Sequence, residues 1–277
     1  MDDPRPNPAA ALASRAGGSD LGSRLLFALP LVALALFLVI EGGAVYTAGV
    51  LVLGLLCMHE LYGMYERANP VRLAGFLALA GLLAAALYGG QSQVLLAAVL
   101  ALPLLFGFTL AQPAPSVGGM ALTLLGIYWI GFGLAHAVLL RGLPHGEGIV
   151  IDVLVGAFLG DTGAYLGGRL FGRRPLAPRV SPNKTVEGLL IGMAVTVLSV
   201  WFAGRYQDWL PGTHALVLGL GVAVFAPIGD LFESFVKRQA GTKDTGTLLG
   251  AHGGVLDRLD AVLFAAIVGY YIWLAYV

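Results

Sequence analysis

The sequence predicts an all-α, polytopic integral membrane protein with about nine transmembrane helices and a cytoplasmic amino terminus. Of its 277 residues, 58% are hydrophobic and only 12% are charged, whereas an average soluble domain has roughly 25% charged residues. The segment 73–140 contains 68 residues without Asp, Glu, Lys or Arg, which is enough for three helices of about 20 residues. Lys and Arg also concentrate in alternate loops, as they do in membrane proteins. The expected solvent is therefore lipid.

The charge balance excludes two other classes of protein. The chain has 16 Lys and Arg against 16 Asp and Glu, so it lacks the basic surface that holds a nucleic acid. Its high hydrophobic content also excludes a disordered chain. The single cysteine, Cys57, can form no intrachain disulfide, and the redox compartment stays open. The expected environment is a lipid bilayer, and no nucleic-acid partner is expected.

The elements follow from apolar runs separated by polar or breaker-rich segments. Residues 1–24 are polar and rich in Ala, Gly and Ser, which predicts a flexible tail. The apolar stretch after this tail is too long for the hydrophobic region of a signal peptide. Breakers at 89–93 and 112–116 divide the uncharged run. The predicted helices span 25–41, 44–65, 73–89, 93–111, 118–140, 148–170, 186–204, 213–236 and 256–276.

The first five predicted helices differ from the last four in polarity. The first five look like ordinary apolar spans, whereas the last four carry acidic residues at or near their ends. These residues are Asp152, Asp161, Glu187, Asp230, Glu233, Asp257 and Asp260. Ionisable residues inside a bilayer are costly and mark functional sites, although residues at helix ends also reach water by snorkelling. We expect a transmembrane scaffold over 25–147 and a transmembrane catalytic region over 148–277.

The positions of the basic residues predict the orientation. With nine spans, the amino terminus and the even-numbered loops share one side of the membrane. That side holds 14 of the 16 Lys and Arg, and the other side holds only Arg141 and Arg205. Cytoplasmic loops carry the excess of positive charge. The amino terminus is therefore expected in the cytoplasm and the carboxyl terminus outside.

The eighth and ninth helices present acids that can meet. Four polar side chains share one face of the eighth helix, at i, i+3, i+4 and i+7: Asp230, Glu233, Ser234 and Lys237. Asp257 and Asp260 share a face in the first turn of the ninth helix, where acids also simply suit the helix dipole. A short loop makes the two helices antiparallel neighbours. Their carboxylates could surround Mg²⁺, which prefers a few carboxylates together with water and phosphate oxygens.

Two loops on the basic side have the composition of phosphate-binding segments. Residues 239–254 combine glycines, threonines and Lys243, which supply free backbone N–H groups, hydroxyls and charge. The P-loop motif G-x4-G-K-[ST] is absent from this segment. Residues 169–184 contain five basic residues and suit phosphate groups at the level of the lipid headgroups. The alternative for this second loop is a purely topogenic role.

The second loop also contains two local signals. Ser181 and Pro182 predict a turn, and Thr185 is expected to open the seventh helix. From the residues alone, the chain is expected to be a membrane-embedded, divalent-metal enzyme. Its substrates would carry phosphate, and its site would face the cytoplasm.

Residues 234–260 read S-x-x-K-R, four residues, K-D-x-G, and then H-G-G-x-x-D-R-x-D after a short spacer. This segment resembles the signature of the phosphatidate cytidylyltransferase (CDP-diacylglycerol synthase) family. Residues 161–165, 168–173 and 181–188 are similar to a second block of that family. The resemblance covers roughly residues 155–275. The first half of the chain resembles the family only in having apolar stretches of membrane-spanning length.

The resemblance implies transfer of CMP from CTP to phosphatidate, with CDP-diacylglycerol and pyrophosphate as products. It also implies an integral membrane enzyme that works as a homodimer, in the cytoplasmic membrane if the source is bacterial. One or two Mg²⁺ ions are implied, and a second monovalent or divalent cation is possible.

The resemblance also assigns roles to residues. The expected metal ligands are Asp230 and Asp257, followed by Asp161 and Asp260, with Asp244 as a further choice. The expected catalytic residues are Asp230, Asp257, Lys237, Arg238, Lys243, His252 and Arg258. The expected substrate-binding residues are Lys184, Ser181, Asn183, Ser234, Asp244, Gly253, Gly254 and Tyr165. His252 could contact a phosphate, assist proton transfer or only fix the loop.

Three alternatives compete with this function. A CDP-alcohol phosphotransferase should contain D-G-x2-A-R, which is absent from the sequence. An ion-coupled transporter would explain acids in broken helices but not the Lys, Arg and His residues of one loop. A related cytidylyltransferase that acts on another lipid phosphate stays open.

Overall fold

The computed structural model describes residues 30–246 and 253–277, and these residues form an all-α protein with one short hairpin. The all-α class is therefore confirmed. The predicted tail and the start of the first predicted helix lie outside the described residues. The helices are α1 (Pro30–Glu41), α2 (Gly43–Met64), α3 (Arg72–Tyr88), α4 (Gln91–Leu110), α5 (Val117–Gly142), α6 (Gly146–Phe171), α7 (Val186–Gly204), α8 (Gly212–Gln239) and α9 (Leu256–Leu274).

Six helices of the described chain are long and apolar enough to cross a bilayer, and they are α2, α4, α5, α6, α7 and α8. The described part of α1 and helix α3 are apolar but shorter. Helix α9 has 19 residues and carries Asp257, Arg258 and Asp260 near its start. The membrane class is thus supported, while the count of nine spans stays a prediction.

A two-stranded hairpin joins α6 to α7. Strand β1 (Pro175–Ala177) pairs antiparallel with β2 (Ser181–Thr185). Its turn lies at 178–180, where the Val180 N–H donates to the Ala177 carbonyl over 3.0 Å. The predicted turn at Ser181 and Pro182 is wrong, because both residues lie in β2. Proline is tolerated there since a two-stranded sheet consists only of edges.

The loops group at two ends of the helix bundle. One end, which we call the hairpin end, carries residues 65–71, 111–116, 172–185 and 240–246. Three hydrogen bonds tie its loops and helix ends together: Asn69 Nδ2 to the Ala114 carbonyl (3.0 Å), Tyr65 Oη to the Val236 carbonyl (2.7 Å) and Arg238 Nε to the Val180 carbonyl (3.2 Å). At the opposite end, Trp273 Nε1 donates to the Pro144 carbonyl over 2.7 Å. The even-numbered loops therefore share one end.

Helices α6 and α7 approach closely through glycines. A methyl group at Gly163 would lie 2.8 Å from Val195 Cγ2, and one at Gly167 would lie 2.7 Å from Ile191 Cδ1. Both distances are too short for a real contact, so these positions require glycine. Small residues allow this kind of helix contact where the surrounding solvent is lipid. The close pair α6–α7 forms one wall of the cavity described below.

Candidate active site

A cavity of about 570 Å³ opens between α6, α7, α8 and the hairpin. Its polar lining comprises Asp161, Tyr165, Arg169, Ser181, Asn183, Lys184, Thr185, Thr196 and Asp230. Its apolar lining includes Ala157, Leu189, Met193 and Ala226. The cavity thus combines apolar walls with charged groups, including those at its hairpin rim, where Lys184 contacts Asp230.

The hairpin and α8 meet at an ion pair on the rim of this cavity. The Lys184 ammonium, on β2, contacts the Asp230 carboxylate, on α8. Thr185 caps α7 by accepting the Gly188 N–H over 3.1 Å, as its sequence position predicts, and this fixes the end of β2. Six of the predicted site residues therefore border one space: Asp161, Tyr165, Ser181, Asn183, Lys184 and Asp230. Their individual roles stay predictions.

A second ion pair is buried between α8 and α9. Lys237 Nζ donates to Glu233 Oε2 over 2.6 Å and to Asp257 Oδ1 over 2.7 Å. The three side chains are 13%, 1% and 9% exposed. The spacing of Glu233 and Lys237 on one helix face predicts their pairing. The contact with Asp257 joins the two helices.

Three carboxylates form a cluster, which we call the acid triad: Asp230 and Glu233 from the two ion pairs, together with Asp260. One oxygen atom from each lies within 4.8 Å of the other two. Glu233 Oε1 is buried and has no hydrogen-bond partner among the described residues. Like charges at this separation repel one another unless a proton or cation compensates them. The donor set therefore fits a divalent cation that prefers oxygen ligands.

The acid triad differs from the ligand set that the sequence predicts. It includes Asp230 and Asp260 but adds Glu233, which was not nominated as a ligand. Asp257 faces Lys237 instead. Asp161 borders the cavity, within electrostatic range of Asp230 and Lys184. The metal-binding roles of Asp230, Asp257, Asp161, Asp260 and Asp244 all stay predictions.

The start of α9 is held by two carboxylates. Asp257 Oδ2 accepts the N–H groups of Thr245 and Gly254 over 3.1 and 2.7 Å. Gly253 has a φ of 78°, which glycine adopts at little cost. Glu60, on α2, accepts hydrogen bonds from Thr245 Oγ1, Val255 N and Leu256 N over 3.0, 2.9 and 2.9 Å.

Sequence reasoning missed Glu60. The signal was present, because Glu60 is an acid inside an apolar span, and acids in such positions are functional candidates. The apolar pattern of the first five helices nevertheless predicts only ordinary membrane spans.

The remaining nominated residues lie around the site or outside the described part. Arg238 donates to the Val180 and Thr242 carbonyls, both over 3.2 Å, and so ties the hairpin to the loop after α8. Lys243 and Asp244 are exposed in that loop. Ser234 is half-buried on α8, and Arg258 lies in the first turn of α9. His252 lies outside the described residues.

Comparisons with known proteins extend the resemblance to the first half of the chain. Residues 22–276 match the model of the family described as "Cytidylyltransferase family". The phosphatidate cytidylyltransferase of Pseudomonas aeruginosa is 37% identical over 265 residues, 88% of this chain and 94% of that protein. The protein of the same name from Brucella suis is 33% identical over 262 residues, 91% and 93% of the two chains. That of Bacillus subtilis is 32% identical over 255 residues, 88% and 94% of the two chains.

Proposed function

The chain belongs to the cytidylyltransferase family, and on that premise we propose that it transfers CMP from CTP to phosphatidate. The products would be CDP-diacylglycerol and pyrophosphate. The observation that carries this proposal is the match over residues 22–276, together with relatives named phosphatidate cytidylyltransferase that align over most of their length. The cavity supports it, because a lining that combines charged groups with apolar walls suits a substrate with a phosphate headgroup and acyl chains.

The reaction requires positioning and charge neutralisation. A phosphatidate oxygen forms a bond to the α-phosphorus of CTP, and the bond from that phosphorus to the bridging oxygen of the β-phosphate breaks. Pyrophosphate leaves with the electron pair. Phosphatidate is already ionised, so no base is needed to activate it, and catalysis depends on in-line alignment and on cationic groups. We place the reacting phosphates at the rim near Lys184 and Arg169.

We further propose that the enzyme depends on one or two Mg²⁺ ions and that its site admits a second, monovalent or divalent cation. The acid triad fits such an ion through its oxygen donors and the unpartnered Glu233 Oε1. When bound, Mg²⁺ supplies positive charge that offsets the charge of the phosphates. The part of this chain is to hold the three carboxylates together: α8 carries Asp230 and Glu233, α9 carries Asp260, and the two helices pack against each other.

For the topology, we propose that all nine helices cross the membrane, with the hairpin end in the cytoplasm and the carboxyl terminus outside. The support is the distribution of basic residues, because Arg141 and Arg205 belong to the opposite end of the bundle. The active site then faces the compartment that contains CTP. A cytoplasmic-membrane location, a homodimer, a scaffold over 25–147 and a catalytic region over 148–277 remain parts of this proposal.

The test is an assay on the purified protein in detergent micelles that contain phosphatidate, with saturating Mg²⁺. CTP labelled at the α-phosphorus should transfer its label to the lipid phase, and CTP labelled at the γ-phosphorus should not. Absence of label from the lipid in both reactions would refute the proposal. Parallel reactions with an ether-linked phosphatidate test the alternative lipid substrate, since label only in that lipid would favour the related activity.

A further inference from the structure

Glu60 lies outside the part of the chain that lines the cavity. Among the described residues, the lining begins at Ala157, so helices α1–α5 contribute no side chain to it. Glu60 is nevertheless only 8% exposed and lies on α2 near the hairpin end. A buried carboxylate is costly unless hydrogen bonds compensate it. What Glu60 contacts therefore indicates why it is there.

Within the described part of the chain, the hydrogen bonds of its carboxylate all go to the two segments that flank residues 247–252. Oε2 accepts the Thr245 hydroxyl before these residues and the Leu256 N–H after them, and Oε1 accepts the Val255 N–H. Thr245 is itself only 6% exposed. The carboxylate also suits the positive end of the α9 dipole. Glu60 thus joins both flanks to α2 at one point.

Two glycines show how closely these flanks approach Glu60. A methyl group at Gly246 would lie 2.9 Å from Glu60 Oε1, and one at Gly254 would collide with Oε2 and with Thr245 Oγ1. No larger residue fits at either position without displacing the carboxylate. The local chain is therefore built around the Glu60 side chain.

We propose that Glu60 is a positioning residue for the CMP transfer, an inference that rests on the proposed function. Glu60 holds Thr245 and the start of α9, and the N–H groups of Thr245 and Gly254 hold Asp257. Asp257 and Glu233 then hold the Lys237 ammonium. Through this sequence of contacts, a side chain of α2 determines where the charged groups of α8 and α9 lie.

The test compares Glu60→Gln with the matched variant Glu66→Gln. Both remove one negative charge near the hairpin end, but Glu66 is exposed and pairs only with Arg72 among the contacts described. Glutamine keeps the size of Glu60 but offers one acceptor oxygen where three donors converge. We expect kcat per folded molecule to fall about 10–100-fold in Glu60→Gln, as for residues that orient functional groups. KM for CTP should change less than about threefold, and Glu66→Gln should match the wild type.

A pair of variants at Thr245 separates positioning from folding. Thr245→Ser keeps the hydroxyl that donates to Glu60 and should retain kcat, whereas Thr245→Val should lose activity as Glu60→Gln does. A merely structural role would lower the yield or melting temperature of Glu60→Gln and leave kcat per folded molecule unchanged. That result would overturn the inference.

A second measurement does not depend on activity. Hydrogen exchange at the amide of Val255 or of Leu256 should accelerate at least about tenfold in Glu60→Gln, because glutamine keeps one acceptor oxygen and the two amides donate to different oxygens of Glu60. Unchanged protection would overturn the inference even if the wild type proved inactive. Transfer by neither wild type nor variant, with faster exchange in the variant, would refute the proposed reaction and leave the positioning contact confirmed.

Discussion

The two parts of the chain are packed in different ways. Of the twelve largest fully buried side chains in the described residues, ten lie in α2–α5, and only Ile149 and Leu218 lie beyond them. Helices α6 and α7 instead meet through glycines, and a cavity with a charged rim lies beside them. Large interlocking side chains make one part a rigid support. In the other part, α6 and α7 pack backbone against backbone, and the cavity beside them leaves space for a ligand.

Glu60 is the exception that connects the two parts. It lies among buried apolar residues of α2, such as Leu61 and Tyr62, yet its hydrogen bonds go to the start of α9. The support therefore does more than fill space in the bilayer. It fixes the position of the segment from which Asp257 and Asp260 project.

The largest effect is expected for Asp230→Asn, which tests whether the acidic residues beside the cavity are required for CMP transfer. Asp230 pairs with Lys184 and belongs to the acid triad, so the change removes charge from both. Transfer of CMP should fall at least about 10²–10³-fold, as on loss of one preorganised electrostatic contact. The control is Asp208→Asn, an exposed acid at the opposite end. Turnover within tenfold of the wild type would remove Asp230 from the site.

Lys237→Met tests the buried pair that joins α8 to α9. The change leaves Glu233 and Asp257 buried without their cation, and a broken buried pair costs about 3–5 kcal/mol. Unfolding in detergent should therefore occur under milder conditions. The double variant Lys237→Met with Glu233→Gln should recover part of this loss, because it removes one of the stranded charges. If the double variant is no more stable than the single one, the pairing is not what stabilises this contact.

Leu82→Ala tests whether the packing of α2–α5 can be weakened without changing the rate of CMP transfer. Leu82 is fully buried on α3, and the cavity left by its truncation should lower the free energy of unfolding by about 2 kcal/mol. The kcat per folded molecule should stay within twofold of the wild type. Leu77→Ala, on the same helix but 45% exposed, should change neither quantity. A large fall in kcat for Leu82→Ala would mean that the two parts are not separable in this way.

The smallest effect is expected for Met193→Ala, which enlarges the apolar interior of the cavity. If an acyl chain of phosphatidate occupies this space, the ratio of kcat/KM for long-chain over short-chain phosphatidate should shift about threefold to fivefold, the value of one buried methylene. KM for CTP should not change. A change in KM for CTP alone would place the nucleotide in the interior.

The sequence predicts the helices well because an apolar run long enough to cross a bilayer has few alternatives to an α-helix. It also predicts the shared face of Asp230, Glu233 and Lys237, because a helix fixes the spacing of residues on one face. The contact between Lys237 and Asp257 spans 20 residues and depends on how α9 returns along α8, which spacing does not determine. The hairpin was missed because β2, with its Ser and Pro, reads as a loop. Glu60 has no partner within its own helix that would have marked it.

The most direct measurement is mass spectrometry of the products that the purified protein forms from CTP, Mg²⁺ and a phosphatidate of defined acyl chains. We predict CDP-diacylglycerol with the same acyl chains and one pyrophosphate for each molecule formed, and almost none of either from Asp230→Asn. Failure of the folded wild-type protein to form CDP-diacylglycerol, or equal formation by Asp230→Asn, would contradict the account.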